Sequence, residues 1–205
     1  MRTTQYLWRQ LTPEQRVELL AWRKKLERPW HSPPHERVPQ TCFHLSAACY
    51  EHQPWIGATP QRMNAFSSAW LVFLAQATAR VHAWCVLPNH YHVLLETFDN
   101  LALIAATGQF HGHTSHAWNG EDDSRGRKVF YRAIDKPVWS DRHFLATLNY
   151  IHHNPVHHRY VARWQDWPWS SAPSYLEAKG SEEARRVWLQ YPILDMGRNW
   201  DEPDA

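Results

Sequence analysis

The pattern of hydrophobic and polar positions predicts four strands in this chain. In Thr41–Tyr50 one face collects Phe43, Leu45, Ala47 and Cys49, the pattern of a sheet strand. Val81–Leu87 and His90–Thr97 are short apolar runs separated by a Pro-Asn pair, which is the composition of a β-hairpin. Lys128–Val138 is the fourth strand candidate.

Apolar residues at helical spacing predict helices before and between these strands. Residues 12–27 open with the capping box Thr12-Pro13-Glu14-Gln15. Thr59-Pro60 caps a second helix, whose apolar residues recur at helical intervals: Met63, Phe66, Trp70, Phe73 and Ala77.

Two more helices are predicted further along the chain. Asn100 is the expected N-cap of Leu101–Trp118. Ser140 is expected to cap Asp141–His153, and Pro155 should end that helix, because proline disfavours helical geometry in the residue before it.

The order strand, helix, strand, strand, helix, strand, helix predicts an α+β fold, a mostly antiparallel sheet with helices packed on it. Three segments are expected. Residues 1–40 form an N-terminal helix and a Pro-rich arm, residues 41–176 form the sheet domain, and residues 177–205 carry a short helix near Ser181–Gln190 and an acidic tail.

Composition narrows the class of protein. The 205 residues are 43% hydrophobic, contain no apolar run of membrane length and show no signal-peptide pattern, so we expect a soluble, cytoplasmic protein with no membrane partner. Cys42, Cys49 and Cys85 form no CxxC motif and fit small core residues in a reducing compartment. A net charge of +2 does not by itself indicate a nucleic-acid binder, so any basic surface must be local.

Two histidines on the second run of the hairpin are candidate metal ligands. Side chains alternate along a strand, so His90 and His92 face the same side, and both imidazoles could reach one divalent ion. The alternative is a pair of half-buried sheet histidines without a ligand.

A tyrosine and an amide lie near the end of the helix that precedes Pro155. Tyr150 and Asn154 are four residues apart and share one edge of the helix. Next to the two histidines, the tyrosine oxygen could attack a phosphodiester while His90, His92 and Asn154 hold a metal. Alternatively, Tyr150 is half-buried packing and Asn154 a helix-end residue.

Both motifs resemble those of a known family. LPNHYHVLLE is similar to the histidine-hydrophobe-histidine (HUH) motif of single-strand transposases and relaxases. NYIHHNPV, followed by WPWSSAPSYL, resembles the tyrosine helix and downstream signature of REP-associated tyrosine transposases, over roughly Thr41 to Leu176. The resemblance implies a ferredoxin-like or RRM-like core, metal ligation by His90, His92 and Asn154, and Tyr150 as the nucleophile.

The same resemblance implies a reaction and a partner. The enzyme would bind single-stranded DNA hairpins of repetitive palindromic elements, attack a phosphate to form a 5′-phosphotyrosine link, and use Mg²⁺ or Mn²⁺. Two positions depart from the family pattern: Leu87 replaces a frequent Met, and Arg159-Tyr160 replaces a common Gly-containing turn. The chain before Thr41 lies outside the resemblance.

A local basic surface and a Trp-rich segment are candidates for DNA contact. The basic residues between the polar loop Asn119–Gly126 and the tyrosine helix could position phosphates, or could form an ordinary solvated face. They are Arg125, Arg127, Lys128, Arg132, Lys136 and Arg142. The tryptophans of Trp164–Ser171 could stack on bases, but the proline and serines of this segment favour a cap over the core.

Other functions remain open on the sequence. A nucleic-acid-binding protein that no longer cuts would use the same scaffold. A zinc hydrolase is disfavoured because no HExxH and no clear third ligand is present, and a serine hydrolase lacks a nucleophile-elbow motif. A monomer and a homodimer fit the pattern equally well.

Overall fold

The computed structural model describes residues 11–25 and 38–193. Most of the Pro-rich arm and the acidic tail therefore lie outside the described residues. The first element, α1 (Pro13–Lys25), has the predicted capping box. The Thr12 N–H donates to Gln15 Oε1 at 2.9 Å, and the Gln15 N–H donates to Thr12 Oγ1 at 3.3 Å, which confirms the predicted helix start.

A four-stranded antiparallel sheet forms the centre of the fold. Its strands, in chain order, are β1 (Cys42–Ala48), β2 (Arg80–Val86), β3 (His90–Glu96) and β4 (Ile134–Pro137). They lie in the order β2–β3–β1–β4, and each neighbouring pair is antiparallel. The predicted α+β class is therefore confirmed.

Helices connect the strands and continue beyond them. Between the strands lie α2 (Pro60–Ala77) and α3 (Asn100–Glu121). After the sheet come α4 (Asp141–His157), α5 (Ala172–Lys179) and α6 (Ser181–Gln190). The connection β1-α2-β2-β3-α3-β4 with this strand order is the ferredoxin-like topology.

The two faces of the sheet are covered by different helices. Side chains alternate along β3, so its neighbouring residues contact different helices. Tyr91 faces α2 and α3: its ring centroid lies 4.4 Å from that of Trp70, and its hydroxyl lies 2.9 Å from Nε2 of His111. His90 and His92 face the opposite side, where they contact α4. The candidate chemistry and the aromatic core therefore lie on opposite faces of one strand.

The start of α3 corrects one predicted cap. Asp99, rather than Asn100, is the N-cap, and its Oδ1 accepts the N–H of Ala102 at 3.0 Å. Asn100 instead donates through Nδ2 to Asp135 Oδ2 at 2.8 Å, which ties the helix start to β4. The prediction was wrong by one residue, because the Asn100 amide is engaged by its contact with β4 and the Asp99 carboxylate caps the helix instead.

The end of α4 corrects the predicted effect of Pro155. The helix runs through the proline to His157, although proline removes one helical hydrogen bond. The last turn is buried at Asn154 and Pro155, and the N–H of His158 donates to Asn154 O at 3.0 Å. Packing of this buried turn outweighs the local preference, so Asn154 stays helical.

The other predicted elements differ in extent. Within the predicted strand 128–138 only β4 is regular, and Phe130 forms an isolated bridge to Cys49. Helix α5 was not predicted, and it runs across residue 176, the predicted end of the sheet domain. The predicted helix Ser181–Gln190 is confirmed as α6. None of the described helices is long and apolar enough to cross a membrane.

The Trp-rich segment is a cap over the edge of the sheet, as its composition favoured. Trp167 is 7% exposed and donates from Nε1 to the carbonyl of Val86 at 2.9 Å. Trp169 donates from Nε1 to Asn64 Oδ1 at 2.7 Å and packs against the core. These bonds join the segment to β2 and α2.

Candidate functional site

The two candidate histidines of β3 lie side by side and are buried. His90 and His92 are each 1% exposed, and their ring centroids are 5.1 Å apart with the planes at 79°. The strand alternation places both on the face that α4 covers. The predicted shared orientation is therefore confirmed.

The turn that precedes His90 is anchored by a close backbone approach. The N–H of Gly57 donates to Pro88 O at 2.9 Å. A Cβ on Gly57 would lie 2.7 Å from Pro88 Cα, closer than real Cβ contacts, so only glycine permits this approach. The carbonyl of Asn89 also accepts the N–H of Cys49 at 2.7 Å. The start of β3 is thereby held from both sides.

Helix α4 brings the other two candidates to the histidines. Ser140 caps the helix as predicted, accepting the N–H of His143 at 3.2 Å. Tyr150 Oη lies 3.5 Å from His92 Nε2, and Asn154 Oδ1 lies 3.0 Å from His90 Nε2. Because the partners are 58 and 64 residues apart in the chain, this convergence is a product of the tertiary fold.

The hydrogen bonds of Asn89 define the tautomer of His90. Asn89 Nδ2 donates to the carbonyl of His52 at 3.3 Å, so its Oδ1, 2.7 Å from His90 Nδ1, is the acceptor of that nitrogen's proton. In the neutral imidazole the Nε2 lone pair then points at the Asn154 oxygen, which is also an acceptor. The Asn154 Nδ2 is buried and has no hydrogen-bond partner among the described residues.

Two imidazole nitrogens and an amide oxygen are groups that can bind a divalent cation. Ligand bonds of about 2.1 Å at right angles place neighbouring ligand atoms about 3.0 Å apart, as in octahedral Mg²⁺ sites. The 3.0 Å separation of His90 Nε2 and Asn154 Oδ1 matches that spacing. In the described ranges no three His, Cys, Asp or Glu side chains are placed to hold a metal, so an ion here would need the Asn154 amide.

Two further histidines border the site and were not singled out from the sequence. His44 of β1 is 2% exposed, and its Nε2 lies 3.0 Å from His92 Nδ1. His158, just after α4, has its ring centroid 4.9 Å from that of His90. The alternation of β1 could have indicated His44, since that residue lies on the face opposite Phe43 and Leu45.

Other buried histidines of the chain support the structure. His152 is buried on α4, its Nε2 lies 2.9 Å from Ser171 Oγ, and its ring stacks on Trp164. Burial lowers the pKa of His152 to about 4, and burial likewise lowers the pKa of His111, on the opposite face of the sheet, to about 4. Both are therefore neutral in the folded protein at pH 7.

Two of the predicted DNA-contact residues hold the loop after α3. Arg127 donates to Asp122 Oδ2 at 2.7 Å and to Asn119 Oδ1 at 2.9 Å. Hydrogen bonds from Arg62 and Arg127 hold the pKa of the Asp122 carboxyl well below its usual range. Arg125 donates to the carbonyl of His116 at 2.8 Å. Arg125 and Arg127 thus have internal structural contacts.

The other four basic residues lie at different places around the sheet and at the start of α4. Lys128 and Arg132 line a cleft of about 480 Å³ beside α3. Lys136 pairs with His44 across β1 and β4, so its side chain shares the face of the site. Arg142 is exposed in the first turn of α4.

The chain was compared with known proteins and solved structures. No model of a protein family matches the chain. Over 119 residues it is 31% identical to a REP-associated tyrosine transposase of Haemophilus influenzae, and the match spans 53% of this chain and 68% of that relative. The chain is also similar to a solved structure of a REP-associated tyrosine transposase bound to a REP hairpin, with a TM-score of 0.55 and 14% identity. The match covers 70% of this chain and 84% of the chain in that structure.

Fold and site together define a class of protein. The chain has the α+β fold of the solved transposase, with a histidine pair and a tyrosine helix on one face of an antiparallel sheet. The chain belongs to the REP-associated tyrosine transposases, as the identity and coverage of the Haemophilus relative show.

Proposed function

We propose that this chain cleaves and joins single-stranded DNA at hairpins of repetitive palindromic elements, with Tyr150 as the nucleophile. The observation that supports this most directly is the convergence of four side chains on one face of the sheet. Tyr150 lies next to His92, and Asn154 lies next to His90. A tyrosine oxygen and a metal-type donor set in one place are the groups that phosphodiester transfer needs.

The covalent step is a transesterification. Tyr150 Oη attacks the scissile phosphorus, the bond from phosphorus to the 3′-oxygen breaks, and the products are a 5′-phosphotyrosine and a free 3′-hydroxyl. Overall, the phenolic proton passes to the departing 3′-oxygen. A second strand's 3′-hydroxyl reverses the step and frees the tyrosine. No water or redox partner is consumed.

The residues around Tyr150 orient its hydroxyl. Tyr150 is 3% exposed, and its ring makes edge contacts with His92 and His44 at centroid distances of 5.1 and 5.8 Å. These contacts hold the hydroxyl 3.5 Å from His92 Nε2. Such positioning reduces the entropy lost on reaching the reactive geometry.

A divalent cation, Mg²⁺ or Mn²⁺, is part of the proposal. His90, His92 and Asn154 would hold it, and bound there it would supply positive charge that polarises the scissile phosphate. The chain itself contributes two imidazoles and an amide oxygen, all three of them buried.

We infer a DNA hairpin as the partner. The solved relative is bound to a REP hairpin. Of the six basic residues predicted from the sequence, the exposed Arg132 and Arg142, the cleft residue Lys128, and Lys136 on the face of the site are proposed to contact phosphates. Arg125 and Arg127 would act through the loop that they hold.

The test is a covalent-adduct assay on hairpin oligonucleotides taken from the repeats around the gene, with Mg²⁺ or Mn²⁺. A denaturing gel should show a protein–DNA adduct that EDTA and Tyr150→Phe abolish. Tyr160→Phe is the matched control, because Tyr160 is an exposed tyrosine just beyond α4. An adduct that persists in Tyr150→Phe would overturn the assignment, and metal-independent binding without any adduct would favour a non-cleaving DNA-binding protein.

A further inference from the structure

We infer that His44 is a positioning residue for His92. Its Nε2 accepts the Nδ1–H of His92, and this bond keeps the His92 Nε2 lone pair directed toward Tyr150 and the proposed metal position. This inference goes beyond the proposed function but rests on it in one respect, that His92 Nε2 serves the site. The observation is the 3.0 Å contact between His44 Nε2 and His92 Nδ1.

The directions of the two ring nitrogens of His92 support this assignment. Nε2 faces α4, where Tyr150 Oη lies 3.5 Å away and Asn154 follows one helical turn later. Nδ1 faces β1 and His44. A neutral imidazole has one N–H and one lone pair, so the partner of Nδ1 decides whether Nε2 can bind a cation.

The sheet register explains why His44 reaches His92. In the β1–β3 pair Ser46 lies opposite His92 and His44 lies opposite Leu94, so His44 is the diagonal neighbour of His92 on the same face. Both imidazoles are buried, at 2% and 1% exposure, so the bond is shielded from bulk solvent. The hydrogen bond is therefore a fixed feature of the fold.

The two site histidines then have equivalent supports. Asn89 Oδ1 holds His90 Nδ1 at 2.7 Å, and His44 Nε2 holds His92 Nδ1 at 3.0 Å. In each case an outer partner takes Nδ1 and leaves Nε2 for the site. Outer partners of this kind set the tautomer and ring orientation of ligating histidines, and losing one typically costs about 10–100-fold in metal affinity or activity.

Three variants separate a positioning role of His44 from a purely structural one. His44→Leu removes the acceptor, whereas His44→Gln keeps a polar atom near the position of Nε2. The matched control is His111→Leu, because His111 is also a buried histidine that bonds a β3 side chain, Tyr91 at 2.9 Å, but on the opposite face. A merely structural role for His44 would make His44→Leu and His111→Leu behave alike.

Two measurements test the inference on the full chain. Mn²⁺ titration followed by electron paramagnetic resonance should show affinity about 10–100-fold weaker in His44→Leu, most of it restored in His44→Gln and unchanged in His111→Leu. Long-range ¹H–¹⁵N correlation spectra should show His92 protonated at Nδ1 in the wild type and as a mixture of tautomers in His44→Leu.

The outcomes separate this inference from the proposed function. Wild-type-like Mn²⁺ affinity in His44→Leu, or a wild-type His92 protonated at Nε2, would overturn the role of His44. If the wild type binds Mn²⁺ and shows the expected tautomer but never forms a DNA adduct, the proposed cleavage fails while the inference stands. If no Mn²⁺ binds at all, the tautomer spectra alone decide.

Discussion

Asn154 Oδ1 lies 3.0 Å from His90 Nε2, with the His90 proton held on the other ring nitrogen by Asn89. When the His90 imidazole is neutral, its Nε2 lone pair therefore faces another acceptor atom, and both side chains are buried. A cation between them would turn this opposed pair into a ligand pair, which is why the amide is as important to the proposed metal site as the histidines.

Replacing Asn154 should weaken metal binding. We expect Asn154→Ala to lower Mn²⁺ affinity by about tenfold or more, about 1.4 kcal/mol, because the site loses an oxygen ligand. Asn154→Asp should bind Mn²⁺ at least as tightly as the wild type. Calorimetric titration measures both.

Asn149 on the same helix is the control for that comparison. Its Nδ2 donates to the carbonyl of Tyr191 at 2.8 Å, so it ties α4 to the residue that follows α6. Asn149→Ala should lower stability and leave Mn²⁺ affinity unchanged. Equal losses of affinity in Asn149→Ala and Asn154→Ala would argue against a ligand role for Asn154.

Gly57→Ala should disturb the turn before His90. The added methyl group would lie 2.5 Å from Pro88 Cβ and 2.7 Å from Pro88 Cα, so backbone must move. We expect a loss of about 1–3 kcal/mol in the free energy of unfolding, measured by urea denaturation.

Gly112→Ala in α3 is the matched glycine variant. A Cβ at Gly112 meets no described atom within 4 Å, and alanine favours a helix interior by about 0.5–1 kcal/mol over glycine. This variant should therefore be stabilised. A Gly57→Ala protein as stable as the wild type would show that the turn is not held by this approach.

Stability should fall as the pH drops from about 6.5 to about 4. Burial lowers the pKa of His111 and His152 to about 4 in the folded protein, whereas the unfolded chain titrates near its ordinary value. The unfolded state therefore binds more protons in this pH window. At the low-pH end of the window, each histidine lowers the free energy of unfolding by up to about 3 kcal/mol. Urea denaturation at a series of pH values measures the slope.

Variants of one helix isolate this effect. His111→Gln should reduce the dependence of stability on pH between 4 and 6.5, because the contribution of His111 is lost and that of His152 stays. His113→Gln, at an exposed position two residues along α3, should leave the slope as it is. The same slope in both variants would remove His111 as its source.

The buried thiols should resist alkylation in the folded state. Burial raises the pKa of Cys49 to about 12 and that of Cys85 well above its usual range. Cys42 is only partly buried, although burial raises its pKa to about 11. Iodoacetamide should label Cys42 first, and all three should react rapidly in urea. Rapid labelling of native Cys85 would contradict the buried placement.

The end of α4 shows where local reasoning fails. Proline was expected to stop the helix before Asn154, yet the buried last turn continues to His157. Had the helix stopped at His153, Asn154 would not lie one turn beyond Tyr150. The position of a site residue was therefore decided by packing rather than by local backbone preference.

The amino-acid sequence by itself determined most of the strands and helices and the shared face of His90 and His92, because residue periodicity is a local property. Only the tertiary structure decided that β1 lies beside β3, that α4 covers the histidine face, and that His44 bonds His92. These relationships join residues more than forty positions apart. Their formation depends on burial and packing across the sheet, which no local pattern records.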